Sequence, residues 1–251
     1  MALLSENRFS RMELLVGGDG LRRLAEASVA VFGVGGVGGY AVEALARAGV
    51  GRLTLVDFDV VAPSNINRQI HALEETVGRA KVQVMAERCR AINPLIQVEP
   101  LREFYGAENS EMLLGRGYDR VLDCIDHITA KLHLIQSCKE RGLPIISSMG
   151  AANKLDPTKV TTADLFQTQK CRLAKILRKE LRKRGIESGV PVVYSTEEFR
   201  PLTGADPEAG RRRVTLGSSS YIPPLFGLTM AGEVIRELVA DPARRGGVDE
   251  I

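Results

Sequence analysis

Through the first 150 positions of the chain, short apolar runs alternate with stretches in which apolar residues recur every three or four places. Continuous apolar runs bounded by turn formers read as strands of a parallel sheet buried on both sides, and they predict strands at 29–33, 52–57, 97–101, 120–124 and 144–148. The intervening periodicity predicts helices. The stretch 80–92 sets Val84 and Ala91 at helical spacing, and 130–141 puts Leu132, Ile135 and Cys138 on one face. Asn93-Pro94 and Gly142 close them. The pattern predicts an α/β protein: a Rossmann-like, mainly parallel sheet with helices on both faces.

The regularity lapses from Gly150, where "MGAANKLDPTKVTTADL" predicts a crossover or a short strand pair. A basic helix is expected over 171–184, with Leu173, Ile176, Leu177 and Leu181 as its apolar stripe and Arg172, Lys175, Lys179 and Arg182 opposite. The stretch 195–220 is rich in Gly, Pro, Thr, Arg and Ser and predicts a mobile loop that a ligand would order. After it, 221–230 is apolar but interrupted by Pro223 and Pro224, so a core helix is expected there and not a membrane span. The chain thus divides into a core over 1–150 and a C-terminal part over 151–251 that completes the same domain and extends it with the basic helix.

Composition narrows the class. A chain of 251 residues that is 44% hydrophobic and 26% charged can bury a full core. Glu6 and Arg8 stand where a secretory signal would need an apolar run, so a cytoplasmic protein without membrane attachment is expected. Cys89, Cys124, Cys138 and Cys171 lie far apart with no C-x-x-C pair, which excludes the familiar zinc and disulfide patterns. The net charge of +3 is unevenly spread: Lys170 to Arg213 holds 12 basic against 6 acidic residues, leaving the remainder at −3. Such asymmetry, with Lys183 and the run Arg211-Arg212-Arg213 inside it, points to a polyanionic partner.

Candidate chemistry begins at Gly33-x-Gly35-Gly36-x-Gly38, which follows a strand and opens a helix, so that backbone amides can approach a phosphate unobstructed. Asp57, at the end of the second strand, is placed to hold a ribose. Asp59, Asn65, Asn67 and Arg68 follow in "DFDVVAPSNINRQ", and Lys81 in "VGRAK". Singly, Arg68 and Lys81 read as solvated charges and Asp59 and Asp126 as cap or turn residues; their convergence on one sheet edge favours a triphosphate over a dinucleotide. Asp126, past the fourth strand, is preferred by position as a magnesium ligand, with Asp123 as the alternative.

In order along the chain, "RFSR", the glycine loop, "DFD", "SNINRQ", "VGRAK" and "DCID" resemble the superfamily of ubiquitin-activating enzymes and their bacterial relatives that adenylate sulfur-carrier proteins. The resemblance implies an adenylation core over 1–150 that binds ATP with Mg2+. It puts the ribose on Asp57, the phosphates on Asn65, Arg68 and Lys81, and the metal on Asp126. It also implies that Arg11 reaches the γ-phosphate of a neighbouring subunit, hence a homodimer. Many superfamily members have Asn where this chain has His127.

The second half, "SSMGAANKLDPTKVTTADLFQTQKCRLAKILRKELRKRGI", resembles the subgroup of tRNA threonylcarbamoyladenosine dehydratases, which implies tRNA as partner, gripped by Arg172, Lys175, Lys179, Arg182, Lys183, Arg211, Arg212 and Arg213. Sulfur-transfer proteins remain open as further partners. Activation of a ubiquitin-like sulfur carrier is the alternative, although the zinc pairs common in that branch are missing. A nicotinamide oxidoreductase or a non-catalytic nucleic-acid module fits the cation set less well. Cys171 is a candidate nucleophile if a basic helix lowers its thiol pKa, while Cys89, Cys124 and Cys138 read as core and His71 and His133 as packing or surface residues.

Overall fold

A computed structural model of the chain describes residues 7–198 and 216–240. Seven strands form one sheet in the order β3-β2-β1-β4-β5-β7-β6. β1 (Ser28–Phe32), β2 (Arg52–Val56), β3 (Gln97–Leu101), β4 (Arg120–Asp123), β5 (Ile145–Ser148) and β7 (Pro191–Ser195) run parallel, and β6 (Val160–Asp164) pairs antiparallel with β7 at the edge. The five residues of β1, Ser-Val-Ala-Val-Phe, are all buried, as a central strand covered on both faces requires. The chain winds from β1 outward to β3, returns to β4 and continues the other way, so a topological switch point opens between β1 and β4.

Seven α-helices cover the sheet among the described residues: α1 (Ser10–Glu26), α2 (Gly38–Ala48), α3 (Lys81–Ile92), α4 (Ser110–Leu114), α5 (Ile128–Glu140), α6 (Arg172–Arg182) and α7 (Ile222–Val239). Leu24, Val42, Leu45, Met85, Phe226 and Met230 pack one face of the sheet, bringing α1, α2, α3 and α7 together. Leu113, Leu134, Ile135, Leu177 and Leu181 pack the other, under α4, α5 and α6. The α/β architecture with helices on both faces is as the sequence pattern predicts.

Some boundaries differ from expectation. α5 begins at Ile128 because the His127 side chain, through Nδ1, accepts the Ala130 N–H and caps the helix. The irregular stretch after Gly150 contains β6, whose partner β7 lies beyond α6 and not next to it in sequence. On α6 the apolar stripe is narrower than expected: Leu177 and Leu181 are buried with Ala174, while Ile176 is exposed. The expected loop over 195–220 begins inside β7 and ends in a tied segment: Asn153 donates its N–H to the Gly217 carbonyl, and Gly217 donates to Asn153 Oδ1. Residues 199–215, which include Arg211, Arg212 and Arg213, lie outside the described residues.

Candidate functional site at the switch point

The glycine turn joins β1 to α2 at the switch point, and its glycines serve different ends. Gly33 takes φ +87°, and a Cβ there would meet the Cys124 carbonyl oxygen at 2.7 Å. A Cβ on Gly38 would stand 1.8 Å from the Gly33 carbonyl oxygen, so that position tolerates no side chain. At Gly36 a methyl would press on Arg68 and Pro223 at 3.1–3.4 Å. Gly35 is unlike these: its Cβ would meet only Gln69 Nε2, at 3.7 Å. The fold does not require glycine at Gly35, where the backbone is left open to approach.

Asp57 holds this turn to β2. Its Oδ2 accepts the Val34 N–H at 2.6 Å and its Oδ1 accepts the Asp59 N–H at 2.9 Å. Each carboxylate oxygen retains a lone pair, so the fixed group can still accept from a ribose hydroxyl. The "DFD" and "VGRAK" motifs are then tied by an antiparallel bridge between Val60 and Ala80, and by the Val61 N–H to the Arg79 carbonyl. That bridge brings Lys81 Nζ to 2.8 Å from Asp59 Oδ2, with the lysine side chain only 7% exposed.

Arg68 lies against the glycine turn, its Cγ 3.3 Å from where a Cβ on Gly36 would stand. Arg68 Nη1 donates to the Ser64 carbonyl and to Asn67 Oδ1, each at 2.8 Å, and Asn67 Nδ2 donates to the Ser218 carbonyl at 2.9 Å. Asn65 turns inward to its own loop, where Oδ1 accepts the Ala62 N–H at 3.0 Å. Gln69 was not singled out by the sequence. Its Oε1 is buried with no partner among the described residues, and its Nε2 would stand 3.7 Å from a Cβ on Gly35, so the amide borders the glycine turn.

On the β4 side the two candidate carboxylates separate. Asp123 is fully buried: Oδ2 accepts from Lys131 Nζ at 2.7 Å and from Ser147 Oγ at 2.6 Å, and Oδ1 accepts the Ile125 N–H at 3.1 Å. The alternative that gave Asp123 to a metal is therefore corrected, since its oxygens are engaged and sealed from any ligand. Asp126 is exposed and has no hydrogen-bond or ion-pair partner among the described residues. No cluster of three or more metal-ligating side chains occurs among the described residues.

Three expectations fall elsewhere. Arg11 is exposed at the start of α1, and the preceding Phe9 packs on Gly49, at the far end of α2 from the glycine turn. Eleven residues of helix put Gly49, and Phe9 against it, about 16 Å from the glycine turn, so α1 starts near the other end of α2. The Cys171 sulfur is buried and accepts the Ala174 N–H at 3.5 Å, capping α6. Arg172, Lys175, Lys179, Arg182 and Lys183 are all exposed, with Lys183 on Glu180 at 2.8 Å and the Arg182 guanidinium 5.4 Å from the centre of the Phe166 ring.

His71 is packed beneath the first turn of α2, 2% exposed, with neither ring nitrogen partnered among the described residues. Burial, then the charges of Lys81 and Arg88, push its pKa down to about 4. Burial raises the thiols of Cys89 and Cys138 to about 12, which leaves them inert.

Sheet, turn and the neighbouring cations define an open α/β protein with a glycine turn at its switch point. The chain belongs to the ThiF family, whose model matches residues 9–246. It is 46% identical over 244 residues to the tRNA threonylcarbamoyladenosine dehydratase of Bacillus subtilis, covering 94% of this chain and 96% of that one. The solved structure of Escherichia coli tRNA N6-threonylcarbamoyladenosine dehydratase in complex with ATP superposes with a TM-score of 0.86 at 35% identity, over 97% of this chain and all of the other. The molybdopterin-synthase adenylyltransferase of Salmonella typhimurium is 38% identical over 161 residues, covering 62% of this chain and 64% of its own.

Proposed function

We propose that the chain is an ATP-dependent tRNA threonylcarbamoyladenosine dehydratase, which activates the threonyl carboxylate of the modified adenosine and closes it into a ring. The observation that carries this reading is a likeness to dehydratases that runs the length of the chain, whereas the likeness to a sulfur-carrier adenylyltransferase stops at about two thirds of it. Activation of a carrier's C-terminus is thereby the weaker alternative.

A carboxylate is a poor electrophile because oxide would have to leave. In this reading it attacks the α-phosphate of ATP, forming a mixed anhydride with AMP and expelling pyrophosphate. The carbamoyl nitrogen or oxygen of the same nucleoside then attacks the activated carbonyl, and AMP departs with the former carboxylate oxygen. The second step is intramolecular, so little orientational entropy remains to be lost. The chain's own part is positional and electrostatic: the α2 amides, Gln69, Arg68 and Lys81 bear on the phosphates as charge develops there, and Asp57 holds the ribose.

Asp126 fits a magnesium ion, being an exposed, hard carboxylate beside the glycine turn, and the lack of a cage of ligating side chains among the described residues suits an ion held mainly by phosphate and water. When bound, magnesium neutralises phosphate charge. Arg11, remote from its own turn, would serve a second copy's nucleotide, which makes the working unit a homodimer. Lys175 and Lys179, with the other exposed cations of α6, would grip tRNA phosphates, in the cytoplasm where that RNA resides.

Exchange of labelled pyrophosphate into ATP tests the reading. Exchange driven by threonylcarbamoylated tRNA supports it; exchange driven by a Gly-Gly-ended carrier protein and not by tRNA replaces it with the alternative.

A further inference from the structure

Arg68 is held by groups that the reaction scheme does not use. Its Nη1 donates to the Ser64 carbonyl and to Asn67 Oδ1, which takes up both hydrogens of that nitrogen. The Nε and Nη2 edge of the guanidinium has no partner among the described residues, and that edge is the fork that suits an oxyanion. Asn67 can hold Arg68 in this way with one orientation of its amide only. With Oδ1 on Arg68, Nδ2 meets the Ser218 carbonyl at 2.9 Å, a contact that crosses 151 positions of sequence. The reversed amide would set a donor against the guanidinium and an acceptor against the carbonyl.

Ser218 is in turn placed from the crossover that follows β5. Asn153 grips the adjoining Gly217 by both its backbone groups: Oδ1 accepts the Gly217 N–H at 2.7 Å, and the Asn153 N–H donates to the Gly217 carbonyl at 2.9 Å. Asn153 does so at φ +55°, a left-handed conformation that Asn and Gly adopt more readily than other residues. The same segment is tied a second time, where Tyr221 Oη donates to the Leu155 carbonyl at 2.7 Å. The ties at Asn153 and Tyr221 suffice to pin the segment. The further link from Ser218 through the exposed Asn67 adds little stability and leads to the phosphate-binding arginine.

We propose that Asn153 is a positioning residue for the nucleotide phosphates. Its grip on Gly217 sets the Ser218 carbonyl, the carbonyl sets the Asn67 amide, and the amide holds the Arg68 guanidinium with its unpartnered edge toward the phosphates. The proposal rests on the ATP reading above. It adds to that reading that the crossover, in the second half of the chain, aims an arginine of the first half.

Kd values for ATP, adenosine and tRNA, measured on the full-length protein and on Asn153→Gly and Asn153→Asp, test this, with circular dichroism to verify folding. Asn153→Gly keeps the left-handed turn and the backbone half of the grip but loses Oδ1, whereas Asn153→Asp keeps both. Asn153→Gly is expected to weaken ATP about fivefold, the usual worth of one hydrogen bond, with adenosine and tRNA affinity unchanged. Asn153→Asp should restore ATP affinity to within about twofold of wild type. In an Arg68→Ala background Asn153→Gly should have no further effect, because the two residues act in series. A folded Asn153→Gly protein with wild-type ATP affinity overturns the proposal, as does an equal weakening of adenosine or the same loss in the absence of Arg68. Should Asn153→Gly not fold, Tyr221→Phe, which removes the second tie, is expected to weaken ATP about twofold in the presence of Arg68 and not in its absence; no loss there overturns the proposal too. A wild type that binds adenosine and ATP equally, or neither, defeats the ATP reading itself and this proposal with it.

Discussion

Lys81 and Asp59 are joined twice: the ammonium sits 2.8 Å from the carboxylate, and the Lys81 N–H donates to the Asp59 carbonyl at 3.1 Å. Side chain and backbone together fix the buried Lys81 ammonium while leaving two of its three N–H donors for the phosphate contact proposed above. Asp59 is half exposed, so loss of its charge should lower stability by less than about 1 kcal/mol. Asp59→Asn should nevertheless raise the KM for ATP roughly tenfold, because a charge-assisted bond that aims Lys81 is lost. Steady-state kinetics read this directly, and an unchanged KM would show that Lys81 needs no such aim.

The glycines separate folding from ligand approach. Gly38→Ala drives a methyl into the Gly33 carbonyl and should yield no soluble folded protein, and Gly33→Ala should be severely destabilised by its φ of +87°. Gly35→Ala should melt within about 0.5 kcal/mol of wild type and yet lose ATP affinity. Thermal melts with and without ATP distinguish the three. A Gly35→Ala protein still strongly stabilised by ATP would contradict this assignment.

Asp123 and Lys131 form an ion pair with side chains 0% and 1% exposed. Removing one partner leaves a buried charge, so Lys131→Met should cost about 3–5 kcal/mol, and Asp123→Leu with Lys131→Met should recover most of it. Urea midpoints check both. Asp126→Asn, altering an exposed carboxylate without a partner, should leave the midpoint in place while abolishing turnover.

His71 predicts a pH dependence of stability. Its folded pKa is about 4 against 6.5 for the free side chain, so the unfolded chain takes up a proton that the native state refuses. Its contribution is therefore complete above pH 6.5 and declines as the pH falls toward 4, by about 3 kcal/mol in all. His71→Gln should remove that part of the slope, so that the urea-derived stability curves of wild type and variant converge in acid. Curves that stay parallel from pH 7 to 4 would exclude it.

Much of this was legible in the sequence because buried parallel strands are written as continuous apolar runs, and β1, β2, β4 and β5 fall where those runs fall. β6 was legible only as part of a crossover or short strand pair: it is an edge strand, Val-Thr-Thr-Ala-Asp, too polar to stand out, and its partner β7 lies beyond a whole helix. Among the site residues, glycine spacing marked the turn but could not tell the three positions the fold demands from Gly35. Position along the chain favoured Asp126 over Asp123 as the metal ligand but left Asp123 open as the alternative. A signal was present, since Lys131 shares the buried face of α5 with Leu134, Ile135 and Cys138, and a lysine in core phase requires a buried counter-charge. Gln69 escaped notice because an amide in a turn-rich motif carries no mark of burial.

In the proposed reaction, a nucleotide seated across this sheet edge makes an acid reactive enough to close on its own carbamoyl group. Mass spectrometry of nucleosides from threonylcarbamoylated tRNA, incubated with ATP and this protein, measures that outcome. Loss of one water from the modified adenosine, with one AMP and one pyrophosphate per event and none with Lys81→Ala, is the expected result. Intact threonylcarbamoyladenosine after full incubation with folded, ATP-bound protein would contradict it.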